Sequence, residues 1–261
     1  VRKLLLVLVA GCLALAGCSD GDSPKWAAPL ASSAPAAITG ADAHRLPASI
    51  PVPAGSGTPA GSTGNGPMGT HRVTGTADVA LTFDDGPSPT WTPQILALLR
   101  QHGIKATFCM VGTEVQAYPN LVRAIAADGH TLCSHSWGHE LNLGSQAEDA
   151  IRANLTRTNQ AIAAAVPGTR VKYFRQPGGN WTPRVVAVAT SLGMRSLHWA
   201  VDTNDWRKPG PDAIYNVVAG QTGPGAIILL HDAGGDRSGT LAACRRIFPL
   251  LKSRVTLIPM P

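Results

Sequence analysis

An α/β fold is predicted, a distorted and incomplete (β/α) barrel with mainly parallel strands. Three observations predict it. From residue 76 onward, short apolar runs alternate with amphipathic runs about seven times, the pattern of strands joined by helical crossovers. About 185 residues carry that pattern, which suits an incomplete barrel better than a full eight-fold one. An open doubly wound sheet is the alternative, but no GxGxxG follows the first strand and no Walker A motif occurs.

The elements follow in order. "DVALTF" (78–83) reads as a buried strand, and "TPQILALLRQHG" (92–103) as a helix ending at Gly103. "KATFCMVG" (105–112) is a strand, "NLVRAIAADG" (120–129) a helix, and "HTLCSHS" (130–136) a strand. A long helix over 145–166 stops at Pro167-Gly168. "VKYFR" (171–175), "RSLHWAV" (195–201), "GAIILLHD" (225–232) and "VTLIP" (255–259) are the remaining strands. Helices at 182–193, 212–220 and 239–254 separate them.

The first 75 residues have another texture. Arg2-Lys3, the apolar run Leu4 to Ala16 and the stretch Leu15-Ala16-Gly17-Cys18 resemble a bacterial lipoprotein signal peptide over 1–17, cleaved before a lipidated Cys18. Residues 18–75, mostly Ala, Pro, Ser, Gly and Thr, read as a disordered tether. The expected location is therefore extracytoplasmic, as a membrane-anchored lipoprotein or a secreted protein. An oxidising compartment permits disulfides. Cys109 and Cys133 fall in neighbouring predicted strands, where a bridge and two buried free thiols are both compatible with the sequence.

Net charge is +6. Arg2 and Lys3 leave with the leader, and the segment 19–75 balances three acids with three bases, so the remaining excess lies on 76–261. It suits solubility or an anionic envelope surface. With no long basic run, zinc-finger spacing or RNA-binding signature, nucleic acid is excluded as a partner. The expected assembly is a monomer.

In parallel α/β folds, chemistry collects where strands end. Asp84 and Asp85 end the first strand, His135 and His139 follow the third, and Arg175 ends the fourth. Asp202 and Asp205 follow the fifth, and His231 and Asp232 end the sixth. His135 and His139, four apart, would share one face of a helical turn. With one aspartate they make an N/N/O set that keeps a position open, as catalytic zinc sites do. The second aspartate then remains free to take a proton. Adjacent strand residues face opposite ways, so the Gly86-Pro87 turn is expected to bend both carboxylates inward.

Taken together, "TFDDG" (82–86), "HSWGH" (135–139), "RQPGG" (175–179), "DTNDW" (202–206) and "LLH" (229–231) resemble, in order, the five motifs of the polysaccharide deacetylases of carbohydrate esterase family 4, the NodB-homology domain. The resemblance covers about 76–261 and implies the catalytic domain there, on a distorted (β/α) barrel. It implies Asp85, His135 and His139 as ligands of Zn2+, with another divalent transition metal such as Co2+ as the variant. It makes Asp84 the general base, His231 the general acid, Arg175 the holder of the base and Asp205 the residue that orients the acid. Gly178 would give an oxyanion N–H, and Trp206 and Leu229 the walls of an acetyl pocket. The family often carries an aromatic residue after the proline of the third motif, where this chain has Gly178; Trp137 and Trp181 are the candidates to supply a stacking face, or else core residues. Asn180, Asp202 and Asp232 are candidate supporting, cap or turn residues.

The function so implied is metal-dependent removal of acetyl groups from N-acetylglucosamine units of a polysaccharide, peptidoglycan or chitin-like oligomers. An O-acetyl xylan esterase would use the same catalytic set. A catalytically silent envelope carbohydrate-binding protein is the alternative of a different class, and the presence of every expected ligand, base and acid argues against it.

Overall fold

The computed structural model describes residues 64–261. The expected leader at 1–17, Cys18 and the tether up to residue 63 lie outside the described residues. Seven strands form one sheet: β1 (Ala80–Asp84), β2 (Thr107–Met110), β3 (Thr131–Ser134), β4 (Tyr173–Phe174), β5 (Arg195–Ser196), β6 (Val201–Asp202) and β7 (Ile227–His231). Their order is β5-β4-β3-β2-β1-β7-β6 and every pairing is parallel. The helices are α1 (Thr92–His102), α2 (Gly112–Ala117), α3 (Pro119–Ala127), α4 (Glu148–Ala165), α5 (Pro183–Ser191), α6 (Pro211–Gln221) and α7 (Ser238–Arg254).

Connectivity forces the sheet to curl. β5 and β6 are its two edges, yet only residues 197–200 join them. A flat seven-stranded sheet is about 29 Å across at ~4.8 Å per strand. Five Cα steps reach at most about 19 Å. The edges must therefore approach each other, and the linking segment bonds to both sides: Leu197 N–H to Phe174 O at 2.8 Å and Ala200 N–H to Ile227 O at 2.9 Å. The result is the incomplete barrel. The strand expected over 195–201 is thus two short strands with a crossing between them.

Local signals explain most elements. All five residues of β1 and of β7 are buried, as central parallel strands should be. α1 ends with Gly103 left-handed, its N–H capping the carbonyls of Arg100 and Leu99. Thr182 caps α5 by accepting from Val185 N–H, with Pro183 opening the helix.

Three further differences from the sequence reading appear. α2 was not anticipated, because Gly112 opens it and only six residues follow one another in helix. The last expected strand reduces to a bridge between Val79 and Leu257. The expected tether extends too far: Thr70 and Thr74 are buried, and His71 and Val73 bridge to Leu197 and Ala226. Thr, Val and His within 70–74 find sheet partners that the Gly- and Pro-rich composition around them obscured.

Cys109 and Cys133 are register partners on β2 and β3 and are bridged. The bridge closes a loop with a sequence separation of 24, which corresponds to about 3 kcal/mol of stabilisation through the unfolded chain. Changing both cysteines to Ser should lower the unfolding free energy by about that amount, read from urea midpoints without reductant.

Candidate active site

The site begins where β1 and β7 lie side by side, with Asp84 opposite His231 and Thr82 opposite Leu229. Asp84 closes its strand fully buried. Asp85 is the first residue beyond it and adopts φ +76, left-handed backbone that is rare for a side chain with a Cβ. This twist carries its carboxylate round to the same side as that of Asp84. The convergence expected from the Gly86-Pro87 turn is therefore made at Asp85 itself, with the turn behind it. Two glycines give the twist room. A Cβ on Gly234 would lie 2.4 Å from Asp85 Oδ2, and one on Gly86 would lie 2.4 Å from Asp232 Oδ2.

Asp85, His135 and His139 form the one candidate cation cluster among the described residues, their ligand atoms within 4.8 Å of one another. Asp85 Oδ1 lies 3.5 Å from His135 Nε2 and 3.2 Å from His139 Nε2. That oxygen is buried and no hydrogen bond satisfies it. His135 Nδ1 lies 2.8 Å from the carbonyl of Arg175. A carbonyl only accepts, so Nδ1 carries the proton and Nε2 is the lone-pair side facing Asp85. An unsatisfied buried carboxylate oxygen between two imidazoles is a donor set that fits a divalent cation. Burial alone would raise the Asp85 pKa, but the imidazoles of His139 and His231 nearby favour its charged form and the group is held well below its ordinary value. The two histidines do not share a helical turn: Ser136 and His139 are left-handed, at φ 63 and 59, and the loop nevertheless brings the ring centroids to 5.2 Å.

Asp84 stands beside this cluster, its Oδ2 3.7 Å from His135 Nε2. Its other oxygen accepts from Arg175 Nη1 at 2.6 Å. Arg175 is wholly buried and also donates to Thr82 Oγ1 at 2.8 Å and to the carbonyls of Leu197 and His198. It therefore ties the carboxylate of β1 to the segment that closes the barrel.

On the other side, His231 Nδ1 is 2.6 Å from Asp205 Oδ1, and the His231 N–H donates to Asp205 Oδ2. Thr240 Oγ1 also donates to Asp205 Oδ2, at 2.8 Å. Burial opposes charge on His231, but the Asp205 carboxylate, helped by Asp85 and Asp84, raises its pKa to about 9. Burial likewise opposes charge on Asp205, and His231 and Thr240 pull that carboxyl down. The pair is an imidazolium held by a carboxylate, with Nε2 on the far edge of the ring.

The remaining expected residues fall at the same end of the barrel or pack behind it. Leu229 is buried two residues before His231 on β7, and Trp206 is half exposed beside Asp205 with the Arg207 guanidinium 4.5 Å over its ring. Gly178 is left-handed in a turn over Pro177–Gly179, and a Cβ there would lie 3.0 Å from exposed Leu141. Trp181 is a core residue, edge-on to Phe174. Trp137 is wedged between Gly112 and the Arg157 guanidinium. Neither indole is left as an open stacking face. Asn180 bonds the Leu141 carbonyl, and Asp202 caps the Asn204 N–H. Asp232 accepts from Thr92 Oγ1 and packs against Gly86. Its burial, with Asp85 and Asp84 nearby, pushes its pKa up to about 7 against the Thr92 bond.

Sequence reasoning missed Arg237. It is buried and donates to the carbonyls of Ala233, Gly234 and Asp205, at 2.6, 2.7 and 3.1 Å. It thereby fixes the loop after β7 to the Asp205 turn. An arginine in "GGDRSG" carries no motif signal, and only the fold shows its partners.

Known proteins resemble this chain in sequence and fold. The family model described as polysaccharide deacetylase matches residues 71–197. A chitooligosaccharide deacetylase of Sinorhizobium fredii is 37% identical over 195 residues, covering 71% of this chain and 90% of its own. A peptidoglycan-N-acetylglucosamine deacetylase of Bacillus cereus is 38% identical over 178 residues, covering 67% and 82%. Among solved structures, a peptidoglycan N-acetylglucosamine deacetylase superposes with TM-score 0.68 at 36% identity over 72% of this chain and 88% of that one. A pseudoenzyme of carbohydrate esterase family 4 from Bacillus anthracis superposes with TM-score 0.65 at 30% identity over 70% and 64%. With the fold, the five strand-end motifs and these relatives in agreement, the chain belongs to the polysaccharide deacetylases of carbohydrate esterase family 4.

Proposed function

We propose that the chain hydrolyses the acetamide of N-acetylglucosamine units in an envelope polysaccharide, with peptidoglycan and chitin-like oligomers as the substrate class. The observation that carries this reading is the placement of Asp84. One carboxylate oxygen is spent on Arg175 and the other faces the Asp85–His135–His139 cluster. A carboxylate so held has one oxygen left for chemistry. The relatives named for peptidoglycan and chitooligosaccharide deacetylation support the substrate class.

Asp85, His135 and His139 would hold the cation, Zn2+ or a similar divalent transition metal such as Co2+. When bound, it supplies Lewis acidity at the acetyl carbonyl and acidifies water. Asp84 takes the proton from the attacking water. Arg175 holds that carboxylate in place. The carbonyl oxygen gains charge as water adds, and the Gly178 N–H is the backbone donor offered to it. The tetrahedral carbon then collapses and the C–N bond breaks. His231, protonated and aimed by Asp205, gives its proton to the departing sugar nitrogen. Leu229 and Trp206 form apolar walls for the acetyl methyl. Acetate and a free amine result. The lipoprotein-like leader and the composition of 18–63 support a site of action outside the cytoplasm, with the domain tethered to a membrane through Cys18.

Acetate release from N-acetylglucosamine oligomers, peptidoglycan and acetylated xylan, each with Zn2+ and then with chelator, tests the reading. Chelator-sensitive release from the amino-sugar substrates is expected. Release from xylan alone would move the chain to O-acetyl esterase chemistry, and no release from any of the three would favour a silent binding protein.

The acid role also fixes a pH dependence. His231 must be protonated to act, so activity is present below its pKa of about 9 and falls as pH rises through that value. Asp205→Asn removes the largest influence raising that pKa and leaves the lowering effect of burial. The alkaline limb of kcat/KM should move to lower pH in the variant. A limb that stays in place would remove His231 as the titrating acid.

A further inference from the structure

The loop that presents the two histidines is strained and is held from outside. Ser136 and His139 both adopt left-handed backbone, which residues with a Cβ enter only against a steric penalty. No helical ladder runs through 135–139, so its backbone groups need partners elsewhere. Trp137 N–H donates to Asn154 Oδ1 at 2.8 Å. Gly138 N–H is shared between the two Glu140 carboxylate oxygens, at 3.0 and 3.1 Å. Glu140 N–H donates to Ser136 Oγ at 3.1 Å. Gly112 and Thr113 N–H donate to the Ser136 and Trp137 carbonyls. Asn154 and Glu140 thus accept from two consecutive N–H groups, those of Trp137 and Gly138, at the loop apex.

Helix α4 is built for this contact. Asn154, Arg157 and Thr158 share one face at i, i+3 and i+4. Arg157 lies 3.6 Å over the Trp137 ring, and Thr158 Oγ1 is 3.0 Å from where a Cβ on Gly112 would stand. Glu140 follows His139 directly, yet its oxygens turn back to Gly138, and the ligand cluster consists of Asp85, His135 and His139 without it.

We propose that Asn154 and Glu140 are positioning residues that preset the spacing of His135 and His139 for a divalent cation, which rests on the metal-centre reading above. A site ordered in advance loses less freedom when it binds. Outer partners of metal sites set affinity by about 10- to 100-fold.

The test is the Zn2+ dissociation constant of the full chain and of Asn154→Ala, Glu140→Ala and Glu140→Gln, by competition with a chromophoric chelator. The Tm of each metal-free protein is measured alongside. Each alanine variant should bind at least about 10-fold more weakly. Glu140→Gln, which keeps an acceptor for Gly138 N–H, should return most of that loss. Metal-free Tm should stay within about 4 °C of the parent, the scale of ~1 kcal/mol in a domain of this size. Parent-like affinity in both alanine variants overturns the proposal. So does an affinity loss that follows a larger fall in metal-free Tm, or one that Glu140→Gln reproduces in full. A parent chain that binds no Zn2+ sinks the metal-centre reading itself. Should Glu140→Ala fail to fold, Asn154→Ala carries the comparison.

Discussion

Asp84→Asn should lower kcat by about 10² to 10⁴, the range that a positioned general base contributes, while Zn2+ affinity stays within a few-fold. The two effects separate because the candidate ligand atoms belong to Asp85, His135 and His139. Asparagine is nearly isosteric and can still accept from Arg175 Nη1, so the geometry should survive. What is lost is the oxygen facing the cluster as a proton acceptor. Single-turnover acetate release, with metal content measured on the same sample, reads both quantities. Full activity in the variant would remove Asp84 as the base. Lost metal together with lost activity would instead make Asp84 part of the ligand set, which its distance of 3.7 Å to His135 Nε2 leaves open to test.

How much of this was legible in the sequence depended on whether a residue's partner was local or distant. Asp84 and Asp85 announced themselves because two adjacent carboxylates at the end of an apolar run are costly without a purpose. The strand and helix order was legible because hydrophobic period is a local property. The barrel's closure was not, since "RSLHWAV" reads as one strand and only the sheet order shows its halves on opposite edges. The helical turn expected at His135–His139 failed for a related reason. The i, i+4 spacing is compatible with a helix, but a tertiary bond from Asn154 and a local one from Glu140 stabilise a left-handed path instead. Arg237, Thr240 and Asn154 carry no signal of their own. Each acts through a partner more than 15 residues away, at Asp205 for the first two and at Trp137 for the third.

Arg175→Met should give the largest loss of stability, about 3–5 kcal/mol, because removing one partner leaves Asp84 buried without its counter-charge. The guanidinium also bonds Thr82 and the carbonyls of Leu197 and His198, so part of the loss belongs to the barrel's closing segment rather than to Asp84. A double-mutant cycle separates the two parts. If the unpaired carboxylate dominates, Arg175→Met in an Asp84→Asn background should cost much less than it does alone, since no buried charge is then stranded. If the closing segment dominates, the cost should be nearly the same in both backgrounds. Urea midpoints of the four proteins decide between these outcomes. The first predicts that charge pairing at Asp84 is the main stability contribution of Arg175. The second would mean that the arginine holding Asp84 is, in energetic terms, chiefly the seam of the barrel, and that Asp84 is positioned because the barrel is closed.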